Sequence, residues 1–355
     1  MRTISGSLIS AQQSTKRKPY VNLVINSINY SDRVLIDEHH VEQYRDYATI
    51  VLNNADRGLD NVDLKGYRFR VGYGYYTGQI VAPPNGDNTG NEYSENADLW
   101  VKAQQFVSSP GQLVCVLYCE GQWSYLREQR VMAYLGEIAV GDPNQVGNDP
   151  YFSGIFDATK SVYQLIESVI EQAFGWTLEA TPSPDDNILN GFHPMYSLVS
   201  LPYAAVVLME LIEMTKCFIR PRANLTWEIV YPQTTDTTQE TYYSDQAPHF
   251  TEYADAPIMP VPNRTVIFAG NPEGLDDWPV PVIVGDSGAY SGNYVEVMDF
   301  ELAPTITTQA DAAARAAALQ NRNDNAAQLA GYLIAPLNCR LELYDRIQVR
   351  DRRGR

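Results

Sequence analysis

The chain has 355 residues, and its 26 Lys and Arg against 43 Asp and Glu give a formal net charge of -17. With 45% hydrophobic and only 19% charged residues, the composition excludes an intrinsically disordered chain. An acidic surface repels phosphate backbones, so the charge also excludes most classes of nucleic-acid binder. A folded chain of this mass buries roughly three-quarters of its unfolded surface, which is ample for one large core or two to three small ones.

The hydropathy of the chain predicts neither a membrane span nor a signal peptide. The longest apolar run, 204–212, is interrupted by Glu210 and is shorter than the stretch of about 18 residues that a span needs. The residues after Met1 are mostly polar through Lys18, without the apolar core of a signal peptide. We therefore expect a protein of a cytosol-like compartment.

Apolar residues alternate with polar ones between about residues 20 and 126, which predicts half-buried antiparallel strands. The alternating positions are Val21, Leu23, Ile25, Ala48, Ile50, Leu52, Tyr67, Phe69, Val71, Tyr73, Val114, Val116 and Tyr118. Turn segments rich in Gly and Asn separate the runs at 53–58 and 83–90. Strands at this spacing suggest a small barrel or a sandwich.

Helical periodicity replaces the alternation in the middle of the chain. Asp157 is a candidate cap for a helix with apolar positions three and four apart, which ends at Gly175. Those apolar positions are Val162, Leu165, Ile166, Val169, Ile170 and Phe174. A second helix, apolar nearly all round, is predicted from Pro202 to about Cys217, with 220–221 ending it.

Strands are predicted again after the helices, at 225–231, 263–269, 293–302, 332–335 and 340–350. An Ala-rich helix interrupts them at 308–330, with Thr308 as its cap and an Asp311/Arg315 pair four residues apart. The pattern indicates a mainly β protein with an α+β insert, in which two antiparallel β-barrel domains flank a helix-containing middle. We place the first barrel domain at 1–150, the insert at 151–250 and the second barrel at 251–355, together with a strand at 222–232.

Three motifs invite a catalytic or metal-binding interpretation. Residues 285–288 read Gly-Asp-Ser-Gly, as around the nucleophile of trypsin-like proteases, but no histidine lies in a matching segment, which favours a Gly-rich turn. The stretch 37–42 contains Asp, Glu and two His, but adjacent strand residues point to opposite faces, so a solvated loop is favoured over a metal site. The acidic pairs at 185–186 and 276–277 lie beside Pro, where Asp is ordinarily a turn residue.

The cysteines do not make a metal site either. Cys115 and Cys119 would need a second ligand pair at short spacing, and the sequence offers none. Together with Cys217 and Cys339 they lie in apolar runs, which predicts reduced thiols in the core. We therefore expect no catalytic residues, no metal, no cofactor and no enzymatic activity.

Tyrosine is abundant, with 24 residues, and two clusters could present a contact surface for a sugar or a protein. They are Tyr73, Tyr75 and Tyr76, and Tyr242 and Tyr243. Together with the acidic loops, they motivate an alternative function as a carbohydrate-binding or glycan-degrading β protein of a virion. The competing interpretation places them in the core on one strand face and at the surface on the other.

Two segments resemble phage tail hub proteins of the baseplate or tail tip. The segment 50–58, followed by Leu64-Lys65-Gly66, is similar to the opening barrel of these hubs, and 99–101 and 121–123 suit its later strands. The closing segment is similar as well, with a helix around 310–316 and strands at 331–336 and 341–349.

The resemblance implies a structural protein that forms a homotrimeric ring of two-barrel protomers. Such a ring continues the tail tube and lets DNA pass during ejection. The implied partners are further copies of the chain, a tail tube or distal tail protein, a tape measure protein, and tail fibre or spike proteins. The implied location is the virion tail, assembled in the host cytoplasm.

The charge distribution adds two expectations about such a ring. A lumen lined by carboxylates would keep phosphates from binding during passage. The segment 340–355 is a basic exception, with six Arg and three carboxylates. Because Arg in a lumen would bind DNA, we expect this end to lie at a protein contact instead.

Overall fold

A computed structural model describes residues 2–131, 160–180, 187–194, 202–233, 235–255, 262–269, 283–288, 296–303, 306, 308–328 and 331–352. The protein is mainly β, with helices in the middle and C-terminal regions, as the sequence predicts.

The first part of the chain forms a short helix and a seven-stranded antiparallel sheet. The helix is α1 (Gly6–Gln13), and the strands are β1 (Pro19–Ile25), β2 (Ile28–Asn29), β3 (Val34–Glu42), β4 (Arg45–Asn53), β5 (Arg68–Tyr76), β6 (Asn91–Ser109) and β7 (Gln112–Gly121). Their order in the sheet is β2-β1-β5-β6-β7-β4-β3, so β2 and β3 are the edge strands. The helix α2 (Gln122–Glu128) follows β7 directly.

This sheet curls around one apolar core. Leu23 of β1 and Ile50 of β4 belong to the same buried cluster, although three strands, β5, β6 and β7, lie between β1 and β4 in the sheet. The turn after β4 closes with Arg57 at φ 56°, next to the Gly that the sequence nominates for the turn. The predicted alternation is confirmed in β4 and β5, whose inward positions are buried along both strands. In β7 the predicted face is wrong, because Cys115, Leu117 and Cys119 point inward and Tyr118 is exposed.

The middle of the chain forms a helical layer against a three-stranded sheet. Its elements are α3 (Val162–Glu167), which continues as a π-helical segment (Ser168–Ala173), β8 (Thr177–Leu178), α4 (Asn187–Gly191), α5 (Ala204–Glu213), β9 (Phe218–Arg222) and β10 (Thr226–Val230). The described cap of α3 is Ser161, which forms a capping box with Gln164, whereas Asp157 lies outside the described residues. Gly175, at φ 64°, ends the helix as predicted.

Helix α5 differs from its prediction at two points. It ends at Glu213, and the Arg220-Pro221 dipeptide lies within β9 instead of terminating the helix. One side of α5 is exposed at Val206, so the helix is not buried all round. Its other side packs into a core with α2, α3 and Trp227, which joins the middle of the chain to the first sheet.

The strands of the last third form three small sheets. They are β11 (Glu240–Tyr243), β12 (Glu252–Asp255), β13 (Arg264–Ala269), β14 (Ile283–Gly288), β15 (Met298–Ala303), β16 (Gly331–Ile334) and β17 (Ile347–Arg350), with α6 (Gln309–Gln328) between β15 and β16. β14 and β15 flank β13, β12 pairs with β16, and β11 pairs with β17. The expectation of purely antiparallel strands here is wrong, because β13 runs parallel to β15 and β11 parallel to β17.

The predicted final strand is also too long, since residues 340–346 form turns and only β17 is extended. The segment 337–345 packs against earlier parts of the chain. Arg220 of β9 forms ion pairs with Glu342 and Asp345, and the Tyr75 hydroxyl of β5 donates to the Leu337 carbonyl at 2.8 Å. The chain therefore returns to the first sheet at its end, and the division at residue 251 stays a prediction.

Candidate interaction surfaces

The Gly-Asp-Ser-Gly motif lies in strand β14 and not in a turn, which corrects the sequence interpretation. Ser287 is paired with Thr265 of β13, and Asp286 binds Arg264 at 2.8 Å. The hydrogen bond from the Arg264 guanidinium lowers the pKa of the Asp286 carboxyl. The acidic residue thus serves in an ion pair between neighbouring strands.

The Asp- and His-rich stretch is strand β3, and the expectation of a solvated loop is wrong. Because side chains two apart share a strand face, Asp37 and His39 both point inward. His39 Nε2 lies 2.7 Å from Asp46 Oδ1, and His39 Nδ1 lies 3.1 Å from the Tyr73 hydroxyl. The side chains of His39 and Asp46 are 4% and 1% exposed.

Asp37, His39, Asp46 and Tyr73 form an inward-facing cluster at one end of the curled sheet, where strand β3 contacts strand β5. Neither carboxylate oxygen of Asp37 has a hydrogen-bond partner, and burial raises its pKa. Burial and the charge of Asp37 also raise the pKa of Cys119. Among the residues that the structure describes, no group of three His, Cys, Asp or Glu side chains could hold a metal ion.

All four cysteines are buried in the core, as predicted. Burial raises the pKa of Cys339 to about 12, so its thiol stays protonated at neutral pH.

The tyrosines do not form the contact platform that one interpretation required. Tyr75 and Tyr242 are buried, and Tyr73 faces the interior of the first sheet. Tyr76 alone of this set is largely exposed, at 48%. The acidic pairs 185–186 and 276–277 lie outside the described residues.

The strongest exposed apolar surface is one side of the sheet formed by β14, β13 and β15. It consists of Phe268, Met298, Phe300 and Leu302, which are 40%, 47%, 66% and 72% exposed, and is called the sheet face below. Their register places them on one side, since Phe268 pairs with Leu302 and the residues of β15 alternate. At one end of this face, Arg264 binds Asp286 and Glu296.

Helix α6 covers the opposite side of the same sheet. There Ile267 and Ala303 pack against Ala312 and Ala316 of the helix. Glu301 binds Arg315 of α6 at 2.7 Å. The predicted Asp311/Arg315 pair is therefore replaced by a contact between helix and strand, while Asp311 pairs with the cap Thr308.

A second exposed apolar surface lies on the two-stranded ribbon of β12 and β16. Tyr332 and Ile334 are each 51% exposed, and their cross-strand partners are Ala254 and Glu252. The Tyr332 hydroxyl donates a hydrogen bond to Glu252. Tyr332 and Ile334 are called the ribbon face below.

The sequence interpretation missed both faces, although the alternation of Met298, Phe300 and Leu302 was a usable signal for the first.

The basic C-terminal end makes contacts within the chain. Arg346 donates to the Asp236 carbonyl, the Arg350 guanidinium lies 5.9 Å from the Tyr243 ring, and Arg352 binds Asp245 at 3.0 Å.

Within the described part of the chain, no helix is long and apolar enough to cross a membrane.

No family model and no curated protein matches the sequence. Among solved structures, the chain is similar to the tail protein from Neisseria meningitidis MC58, with a TM-score of 0.57 and 10% identity over 94% of this chain and 87% of that one. It is also similar to the 43 kDa tail protein of prophage MuSo2 from Shewanella oneidensis, with a TM-score of 0.51 and 11% identity over 87% and 80% of the two chains. The chain thus shares its fold over most of its length with two tail proteins, while the resemblance to hub proteins stays a prediction.

Proposed function

We propose that this chain is a non-enzymatic structural component of a phage or phage-like tail. In this proposal it forms a homotrimeric hub ring at the baseplate or tail tip, which caps or continues the tail tube and passes DNA during ejection. The observation that carries the proposal is the likeness in fold to two tail proteins over 94% and 87% of the chain.

The exposed surfaces support an assembling protein. Large exposed apolar faces on a soluble chain are typical of protein contacts, and the sheet face and the ribbon face are of this kind. Further contacts in the tail would be with a tube or distal tail protein, the tape measure protein, and fibre or spike proteins. The virion tail, assembled in the host cytoplasm, is the location that follows.

The carbohydrate alternative loses one of its two motivations in this fold. The tyrosines that suggested a sugar platform are mostly packed inside, whereas the acidic pairs at 185–186 and 276–277 lie outside the described residues. The likeness in fold to tail proteins favours the structural role.

The proposal is tested by the mass of the purified full chain in solution, measured by light scattering after size exclusion. We expect a trimer or a multiple of it, because a hub ring is a closed symmetric oligomer. A chain that stays monomeric across micromolar concentrations, or that is absent from the tail in electron micrographs of particles, would contradict the proposal.

A further inference from the structure

Strand β15, in the sheet made by β14, β13 and β15, is turned the opposite way from what its pattern predicts. In β15, the apolar residues Met298, Phe300 and Leu302 alternate with acidic Asp299 and Glu301. In a sheet covered on one side, the apolar set ordinarily faces the cover. Here α6 covers the acidic set, and Arg315 and Asn323 of the helix bind Glu301 and Asp299. The apolar set is left outside.

A buried guanidinium stabilises this unusual orientation. Arg315 is 8% exposed in its side chain, and two of its nitrogens bind the carboxylate of Glu301. Turning β15 over would leave that buried charge without its partner, which is strongly unfavourable. The fold therefore holds the sheet face in an outward position.

The size of the sheet face matches the apolar centre of a specific protein contact. From their exposed fractions, its four side chains present on the order of 400 Å² of surface, within the range of the largest apolar patch on a monomer, about 300–600 Å², which is often functional. A standard interface buries about 800 Å² on each partner, with an apolar centre and a polar rim. The Arg264 cluster with Asp286 and Glu296 supplies polar groups at one end.

The ribbon face is a second exposed apolar surface in the last third of the chain. The β12–β16 ribbon exposes Tyr332 and Ile334 on one side, and Tyr is among the residues enriched at interface centres.

We propose that the sheet face of one copy of this chain packs against the ribbon face of the next copy. This inference rests on the proposed ring, because a closed ring of more than two copies needs a head-to-tail contact between two different surfaces. The chain carries two such surfaces on separate sheets, both built in its last third. A different tail protein on either face is the competing occupant that the experiment separates.

The test uses two double variants of the full chain. The sheet-face variant carries Phe300→Asp and Leu302→Asp, and the ribbon-face variant carries Tyr332→Asp and Ile334→Asp. The control, Ile80→Asp, changes a residue that is 73% exposed outside both faces. The mass by light scattering and the circular dichroism spectrum are recorded for each. Serine versions of the same double variants replace any aspartate version that does not fold.

We expect each double variant to have the mass of one protomer with the spectrum of the wild type, while the control assembles as the wild type does. Mixed in equal amounts, the two double variants should form a complex of two protomers, because the mixture retains one intact pair of faces. That result is specific to a head-to-tail contact.

Two outcomes overturn the pairing while leaving the proposed ring intact. In the first, the wild type forms the ring and at least one double variant still does. In the second, both variants are monomeric but their mixture stays so, which assigns the faces to other partners or to separate contacts. A wild-type chain that is itself monomeric overturns both the pairing and the proposed function.

Discussion

At the scale of single residues, Asp37 is a carboxyl buried without a hydrogen-bond partner inside an apolar sheet. The groups that interact with it are Tyr73 on β5, Cys119 on β7 and its own strand neighbour His39, which is in turn hydrogen-bonded to Asp46 on β4. Burial of a carboxyl disfavours its charged form, so the folded protein binds its proton more tightly than the unfolded chain does.

Asp37→Asn should therefore stabilise the protein at alkaline pH. Because the pKa of Asp37 is raised on folding, its favourable contribution is complete below the unfolded pKa and is lost as pH rises through the folded pKa. We expect the variant to gain on the order of 1 kcal/mol in unfolding free energy at pH 8 and to lose this gain near pH 4. Denaturant titrations at both pH values measure it. Glu38→Gln, exposed on the opposite strand face, is the control, and a gain independent of pH would contradict the argument.

Glu342 shows the opposite behaviour. Burial alone would raise its pKa, but Arg220, Arg2 and Arg222 outweigh burial and lower it. Its contribution to stability is thus present above the unfolded pKa and is lost as pH falls through the folded pKa.

Glu342→Gln should destabilise the protein at neutral pH by about 3 kcal/mol, because it leaves buried guanidinium groups without their shared partner. The loss should shrink as pH falls below the pKa of glutamate in the unfolded chain, about 4.3, and on through the lowered pKa of the folded carboxyl. Thermal unfolding of both proteins at several pH values measures the difference. An equal loss at every pH would show that packing, and not charge, is responsible.

Ser287→Ala tests the absence of catalysis at the protease-like motif. Since Ser287 lies within a strand pair, we expect the variant to assemble and to support infection as the wild type does. Particle assembly and plaque counts are the measurements. Loss of a hydrolytic activity in the variant would overturn the structural interpretation.

At the scale of elements, the capping box at the start of α3 positions the middle core. The Ser161 hydroxyl accepts from the Gln164 backbone N–H at 3.3 Å, and the Gln164 side chain accepts from the Ser161 N–H at 3.0 Å. The helix that begins there buries Leu165 and Ile166 completely.

Ser161→Ala should lower the unfolding free energy by about 1 kcal/mol, the usual effect of removing a helix cap. A chemical denaturation curve gives the value. Ser287→Ala, outside any helix end, serves as the matched control, and an equal effect of both substitutions would argue against the capping role.

At the scale of the whole molecule, the proposed ring makes a prediction about its lumen. With 43 carboxylates against 26 Lys and Arg, we expect acidic side chains to line a channel wide enough for duplex DNA. Carboxylates repel the phosphates of DNA only weakly, because salt screens the repulsion within about 8 Å at physiological ionic strength. Each Arg in the lumen would instead bind a phosphate.

A density map of the assembled tail checks this arrangement. The Arg-rich end should lie at a protein contact, consistent with the bonds that its arginines already make within the chain. A lumen lined mainly by Arg340, Arg346, Arg350 and Arg352 would contradict the prediction, and so would the absence of a ring.

The sequence by itself determined the local elements of this protein. Alternation at Leu23, Ile50 and Val71 is enough to predict strands, and spacing of three and four around Leu165 is enough to predict a helix, because both patterns follow from backbone geometry. The mainly β class and the buried thiols follow from the same local rules.

The tertiary structure alone decided which face of an element is covered and by what. Arg315 has an acidic neighbour one turn away in its own helix, but its buried position makes Glu301 the partner, and this turns the apolar side of β15 outward. Asp37 and His39 face inward because β3 curls over β5. Such choices depend on contacts between residues far apart in the chain, which no local pattern records.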